Sequence, residues 1–555
     1  MEDPLREVYE RRRELTEALE SSPYDLILYL QRALVHIELG YPDLASGDAY
    51  RALLLTDEVA NDGFEYHESA LECLSKYEGR PLAELLHECT LAATAVSTGT
   101  SATTTKGDES TLLAEASVKC FQILSSSLLR CGCLKSAYNF CQRGLAAKED
   151  DEQLTTTLEL INAAARQRLG RETVGVEDMP DAGLARREVY AWNTHEPDRF
   201  SQESLDYLNE QLVAMAPKCV VKASELPVLA AGVAEQGTCK QLGVFAAADI
   251  GPGEVVLREF SALTANNRLQ EPVCDACGEE LPSLDSASAE DGGQQAVNCE
   301  ECYDTVFCSQ ECHDQAMELY HPAVCDKGVD SIAKDPDAAE IDYSLYLLLL
   351  ARLLAMAEHQ DTHPLDVREV KYIWGDFVPR GSSSSSSNSG VDENDAHSMS
   401  GTLPFSFRFN IETPLHVLET MDVDIYRTLA RHDTWVMNTL YAKFRGTASA
   451  RKSTRDGRPD VAAVHPFWCL ANHDCDPNVT WEWSGRMVLR AKEERVEWGG
   501  DRRAAGIKAG DEILNHYCDV NLGVRQRREW AEGSLGGWCM CQRCRYEAAA
   551  AEKGE

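Results

Sequence analysis

The chain is short of positive charge. Against 92 Asp and Glu it carries 53 Lys and Arg, a formal net charge of −39 and a pI near 4.7. Such a chain repels phosphate backbones, so direct nucleic-acid binding is not expected, whereas basic protein segments are attracted. The same acidity also serves solubility. A run of the roughly 20 apolar residues that span a bilayer is missing too. The most apolar stretch, 343–357, is interrupted by Arg352 and reads as a buried helix, so no membrane association is expected. No secretory signal is visible after Met1, where Glu2, Asp3 and Pro4 lead into charged helical sequence. These absences point to a nuclear or cytoplasmic protein. Disulfides are rare there, so the 21 cysteines, far from scarce, are better explained by metal binding.

The first 175 residues read as helical. Ser22-Pro23 is a plausible helix start, and Leu26, Tyr29, Leu30, Ala33, Leu34 and Ile37 recur at helical spacing up to Gly40. The order Gly40, Ala45, Ala49, Leu53 returns as Gly132, Ala137, Cys141, Leu145. Small residues at these places let antiparallel helices pack closely, and the pattern resembles tetratricopeptide helix pairs. Cys73, Cys89, Cys120, Cys131, Cys133 and Cys141 lie in this helical sequence and read as core. Stretches 94–110, 281–297, 382–390 (a serine tract) and 499–506 read as loops, the serine tract as disordered. The helical pattern breaks around 191–197. From 218 onward Val220, Val221, Val228, Val244, Phe245, Val255 and Val256 sit in short runs punctuated by Gly and Pro, which predicts strands. Strand texture returns at 479–483, 487–489 and 513–514.

Two cysteine clusters carry the chemistry. The first runs Cys274, Cys277, Cys299, Cys302, Cys308, Cys312, His321, Cys325, eight soft ligands within 52 residues. Zinc takes four tetrahedrally, so eight make two closed sites. The segment resembles a MYND finger, carried by Phe307-Cys308-Ser309 and the closing His321-x3-Cys325. That resemblance implies interleaving: Cys274, Cys277, Cys308 and Cys312 on one zinc, and Cys299, Cys302, His321 and Cys325 on the other. His313 is the competing nitrogen ligand. With every position filled by protein no water can be activated, so the finger is structural or a docking surface. The family's usual Trp before the histidine is missing.

The second cluster, Cys539-Met540-Cys541-Gln542-Arg543-Cys544, offers three thiolates and leaves one position open; Cys475 is the candidate to fill it. Here the chain resembles SET-domain lysine methyltransferases of the SET-and-MYND type, in a fungal-type form. Three motifs carry the likeness: Lys240-Gln241-Leu242-Gly243-Val244-Phe245-Ala246 with Gly253-Glu254; Asn472-His473-Asp474-Cys475-Asp476-Pro477-Asn478; and Gly510-Asp511-Glu512-Ile513-Leu514-Asn515-His516-Tyr517-Cys518-Asp519. The cysteine tail resembles a post-SET zinc segment. The resemblance implies S-adenosylmethionine as cofactor, three zinc ions, and Tyr517 as the catalytic residue whose hydroxyl orients the acceptor amine. Gly243, Val244, Asn472 and His473 would line the cofactor site. Trp538 is assigned to the lysine channel, to the adenine or to plain core packing. Where the family has Gly and Ser, this chain has Gln241 and Asp474.

The fold expected is α+β, a SET-domain β-fold split by a MYND zinc finger and a helical insert and preceded by an α-helical TPR-like domain. The expected segments are 1–175 TPR-like, 176–217 linker, 218–272 and 461–535 SET, 273–326 MYND, 327–460 helical insert with the serine-rich loop, and 536–548 post-SET. The implied activity is protein-lysine N-methylation of histones or other basic proteins, with further protein partners held by the MYND and TPR-like regions. The alternative is a non-catalytic adaptor with a degenerate SET domain, favoured by Gln241 and Asp474 and opposed by Tyr517 and the complete cysteine tail. A zinc hydrolase is excluded, since neither cluster has an open coordination position with a general base beside it.

Overall fold

Asp25, rather than Ser22, starts the helix predicted there: its carboxylate accepts from the Ile27 and Leu28 backbone N–H groups at 3.0 and 3.3 Å and caps Leu26–Glu38. Gly40, at φ +78°, ends that helix and turns the chain into Pro42–Ala60. Gly132, at φ +87°, plays the same part between Glu109–Cys131 and Leu134–Ala147. In both pairs the small residues read from the sequence are wholly buried: Ala45 and Ala49, then Ala137 and Cys141. The computed structural model describes residues 4–87, 109–186, 188–227, 229, 238–269, 272–282, 295–302, 304–373, 402–453, 456–500, 503–535 and 537–553. The loops expected at 94–108 and 382–390 lie outside these residues, as do Cys89, Val228, the centre of 281–297 and residues 501–502. Glu109 and Ser110, expected to be loop, open a helix instead.

The chain forms two compact units, Met1–Ala191 with Asp376–Ala442, and Trp192–Gly375 with Lys443–Glu555. The stretch expected as one helical insert at 327–460 therefore divides. Thr402–Phe405 pairs antiparallel with Gly183–Arg186 inside the first unit, while Ile341–His359 belongs to the second. Nothing local in either short strand announces that pairing. The expected linker at 176–217 contains this strand and the helix Gln202–Met215, whose Leu208 and Leu212 are buried in the second unit. Leu205, Leu208 and Leu212 already recur at helical spacing.

At the heart of the first unit, Arg32 is fully buried. Its Nε donates to Asp48 at 3.0 Å and its Nη1 lies 3.1 Å from Asp433. Burial works against the Asp48 charge, but Arg32 outweighs it and holds that carboxylate well below its usual range. Helix Glu109–Cys131 contains a window long and apolar enough for a bilayer, yet 56% of that window is buried inside the structure, as in a core helix.

In the second unit the valine-rich runs form strands as predicted. Cys219–Pro227 pairs with Thr238–Ala246. The hairpin Val479–Ser484 and Arg486–Ala491, turned at Gly485, pairs on with Val255–Phe260. Leu263–Asn266, Pro459–Val464 and Ala448–Lys452 form a third sheet. Residues 513–514, expected as strand, instead thread between neighbours through single bridges, Phe245 with Glu512 and His473 with Asn515. Helix Ile341–His359 buries its leucines, and the Arg352 that interrupts them stacks on Tyr320 at 3.7 Å and pairs with Asp275 at 2.9 Å. The one charge in that apolar run thus secures the loop between Cys274 and Cys277.

Glu259 is buried in the strand Val255–Phe260, and both of its oxygens accept backbone N–H groups, from Phe467 at 2.8 Å and Trp468 at 2.9 Å. It fixes the chain that leads into Asn472. Burial pushes its carboxyl up to about 8, and the two N–H groups only partly offset that.

Replacing Arg32 by Met leaves buried Asp433 only the more distant Arg12 at 3.8 Å and buried Asp48 only His36 at 2.9 Å. We expect a loss of about 3–5 kcal/mol in denaturant unfolding of the first unit; a loss below about 1 kcal/mol would contradict the network's role. For Glu259 the folded pKa lies above the unfolded one, so the folded state binds the extra proton between pH 4.5 and 8. Stability therefore falls as pH rises through this window, by up to about 1.4 kcal/mol per unit. Glu259→Gln should remove that slope; parallel stability curves for the two proteins would refute the assignment.

Candidate functional site

Three sets of soft ligands converge, in the grouping read from the sequence. Cys274, Cys277, Cys308 and Cys312 form one, Cys299, Cys302, His321 and Cys325 the second, and Cys475, Cys539, Cys541 and Cys544 the third, with ligand atoms within 4.8 Å of one another in each. Ser309 makes the first possible: its hydroxyl accepts the Cys312 N–H at 3.2 Å, caps helix Gln310–Leu319 and sets Cys308 and Cys312 on either side of its first turn. In the second set His321 presents Nε2, 3.7 Å from Cys302 Sγ. His313 stands apart, bonded to Asp314 and Gln310.

The spacing tests whether zinc fits. A tetrahedron with Zn–S bonds of about 2.3 Å has S···S edges of about 3.8 Å. The observed sulfur pairs are Cys277–Cys308 at 3.7 Å, Cys299–Cys325 at 3.8 Å, Cys475–Cys539 at 3.9 Å and Cys475–Cys544 at 3.4 Å. Donor type, number and spacing all suit zinc. Around the third set Arg527 lies 3.7 Å from Cys544 Sγ, and Arg543 donates to the carbonyls of Cys475 and Val520 at 2.7 and 2.9 Å. Two buried guanidinium groups offset the negative charge that four thiolates would bring.

His473 joins this cluster to Tyr517. Its Nδ1 accepts the Tyr517 backbone N–H at 3.0 Å, so its Nε2 carries the proton and donates it to Cys475 Sγ at 3.3 Å. The Tyr517 ring lies 5.2 Å from that imidazole, and its hydroxyl donates to the Ala471 carbonyl at 3.1 Å. Burial pushes the phenol above its usual range, so Tyr517 stays protonated at neutral pH. Asn472 locks the neighbouring strands: its amide donates to Leu242 O at 3.1 Å and Glu512 Oε1 at 2.7 Å, and its carbonyl accepts from Asn515 N–H at 2.8 Å. Gly243 faces this knot. A Cβ there would stand 2.4 Å from Glu512 Oε1 and 3.0 Å from Asn472 Nδ2, so a larger residue would have to push the Glu512 carboxylate out of its bond to Asn472. The Val244 carbonyl accepts from Ile513 at 2.7 Å while its side chain packs in the core.

Beside Tyr517 opens a cavity of about 710 Å³, walled by Trp468, Trp481, His516, Trp530 and Lys492 among others. Trp468 and Trp481 meet edge to face at 5.7 Å, and His516 stacks on Trp481 at 5.9 Å. Burial lowers the His516 pKa, with Lys492 adding to the effect, so the ring is neutral at pH 7. Of the residues assigned from the sequence, only Tyr517 lines this cavity. Gly243, Asn472 and His473 are not among its lining residues. Trp538 is on the surface, 41% exposed, with Arg528 over its ring at 5.4 Å. The aromatic walls were missed because isolated tryptophans carry no spacing signal. Glu259 had one: it occupies an inward position in a strand that otherwise buries Val256 and Leu257.

A relative named Histone-lysine N-methyltransferase SET5, from Vanderwaltozyma polyspora, is 23% identical over 323 residues, covering 55% of this chain. The match spans 58% of that relative's own length. Residues 241–518 match the SET domain, from the strand that carries Gly243 to the cysteine after Tyr517. The chain belongs to the SET domain family.

Proposed function

We propose that the protein transfers a methyl group from S-adenosylmethionine to lysine side chains of proteins. The observation that carries this reading is that Tyr517 lines an aromatic cavity while its backbone is tied through His473 to a four-cysteine set. When bound, S-adenosylmethionine supplies an electrophilic methyl group on a cationic sulfur. Asn515 supports a polar ligand nearby: its side chain is fully buried, and its Nδ2 has no acceptor among the described residues. Asn472, His473 and Asn515 would hold the cofactor, and the closed cysteine sets would hold three zinc ions in structural roles.

The chain's own groups would prepare the acceptor. A lysine with a pKa near 10.4 costs about 4–5 kcal/mol to neutralise at pH 7. Low-polarity walls disfavour the ammonium and lower that cost. The π faces of Trp468 and Trp481 would attract the acceptor while it is still an ammonium. Tyr517, protonated, orients the amine and does not take its proton; near-attack positioning supplies the rate.

The finer assignments belong to the same reading. Residues 273–326 form a MYND-type finger and 1–175 a TPR-like domain, both binding protein partners. The acceptor is a protein lysine, with histones among the candidates because the named relative acts on them. The thiolate sets favour a reducing compartment, the nucleus or the cytoplasm. Titration of zinc-replete protein with S-adenosylmethionine in a calorimeter should give saturable binding, and Tyr517→Phe should keep that binding while losing about 10²-fold or more in methyl transfer. No binding at millimolar cofactor would overturn the enzyme. Full transfer by the variant would overturn the role of Tyr517.

A further inference from the structure

Within a chain of net charge −39 the cavity beside Tyr517 is lined by two cations, Arg445 and Lys492. Neither has an ion pair among the described residues. Arg445 rests its guanidinium on the Tyr346 ring at 4.6 Å, and its Nε is buried without an acceptor. Lys492 is half-buried; its backbone N–H reaches Asn478 O at 2.9 Å, while its ammonium meets no carboxylate. The acid closest in influence, Asp476, is already taken by Arg495 at 3.1 Å and Arg503 at 3.0 Å. The cavity's one carboxylate, Asp519, is exposed and accepts the Asn521 N–H at 2.9 Å. His516 is neutral at pH 7, as argued above. Two cations against one exposed carboxylate leave the lining net positive.

An unpaired cation held partly out of water is an unsatisfied group, and a ligand carboxylate restores what burial removed. Burial lowers the Lys492 pKa, the direction expected of an ammonium that lacks its counter-charge. The distant acidic surface does not reverse this preference. At physiological salt the screening length is about 8 Å, so charges at the cavity decide which side chains fit around the acceptor lysine.

We propose that this site selects lysines in an acidic sequence context, with a substrate Asp or Glu side chain received by Lys492 and Arg445. The proposal rests on the methyltransferase reading and names its substrate class. Basic-flanked lysines, the arrangement of histone tails, would bring like charges against the same wall.

The test uses the full chain, zinc-replete, with S-adenosylmethionine and three synthetic peptides, each with one central lysine flanked by Glu, by Gln or by Arg. We expect kcat/KM to fall in the order Glu, Gln, Arg, with at least tenfold, about 1.4 kcal/mol, between the extremes. Calorimetric binding should follow the same order. Lys492→Glu should invert the ranking and Lys492→Gln should flatten it, with zinc content unchanged as the check on folding. Equal use of the three peptides, or a preference for the Arg-flanked one, overturns the proposal and leaves the enzyme standing. If Lys492→Glu weakens S-adenosylmethionine tenfold and leaves the ranking intact, the carboxylate received is the cofactor's own, and the proposal fails. If the cofactor does not bind at all, the enzyme reading fails, while peptide calorimetry still reports the charge preference by itself.

Discussion

The Cys475 sulfur is where distant stretches of chain are made to meet. It lies 3.4 Å from Cys544 Sγ, 69 residues along the chain, and receives the His473 Nε2–H at 3.3 Å. The same imidazole takes the Tyr517 backbone N–H. One thiolate therefore fixes the tail, the asparagine loop and the tyrosine at once. A hydrogen bond from His473 is worth more to a thiolate than to a thiol, so metal binding and tyrosine placement reinforce each other. Metal-driven folding at such a set is coupled to deprotonation of all four cysteines.

Around that point the structure uses buried polar groups as positioning devices. Glu259 holds the backbone before Asn472, Asn472 clasps Leu242 and Glu512, and Gly243 leaves the space they need. Glu259 is buried and Asn472 half-buried, and both are fully engaged in hydrogen bonds, which costs desolvation but leaves few alternative arrangements. The cavity itself is the contrast. Its indole N–H groups at Trp468 and Trp481 find no acceptor among the described residues, and its two cations, Arg445 and Lys492, have no ion pair there.

The ligand sets were legible in the sequence because zinc chemistry constrains spacing. Cys-x2-Cys turns and a Cys-x3-Cys across a capped helix start leave few ways to be satisfied. The three motifs around Gly243, Asn472 and Tyr517 were legible through their resemblance to SET-domain methyltransferases, and not from spacing or periodicity. The aromatic walls were not. Trp468, Trp481 and Trp530 come from separate elements, and no periodicity ties them together. The pairing of Gly183–Arg186 with Thr402–Phe405 was hidden because it spans more than 200 residues and uses only four residues a side. Trp538 was read as a wall of the lysine channel, a partner of the adenine or a core residue; it is exposed, with Arg528 over its ring at 5.4 Å.

Native mass spectrometry of the intact chain and of Cys475→Ser, counting bound zinc, tests the central claim most directly. The account predicts three ions in the parent protein and two in the variant, with the finger sites still filled. Three ions retained in Cys475→Ser, or an unchanged affinity for S-adenosylmethionine after the third is lost, would contradict it.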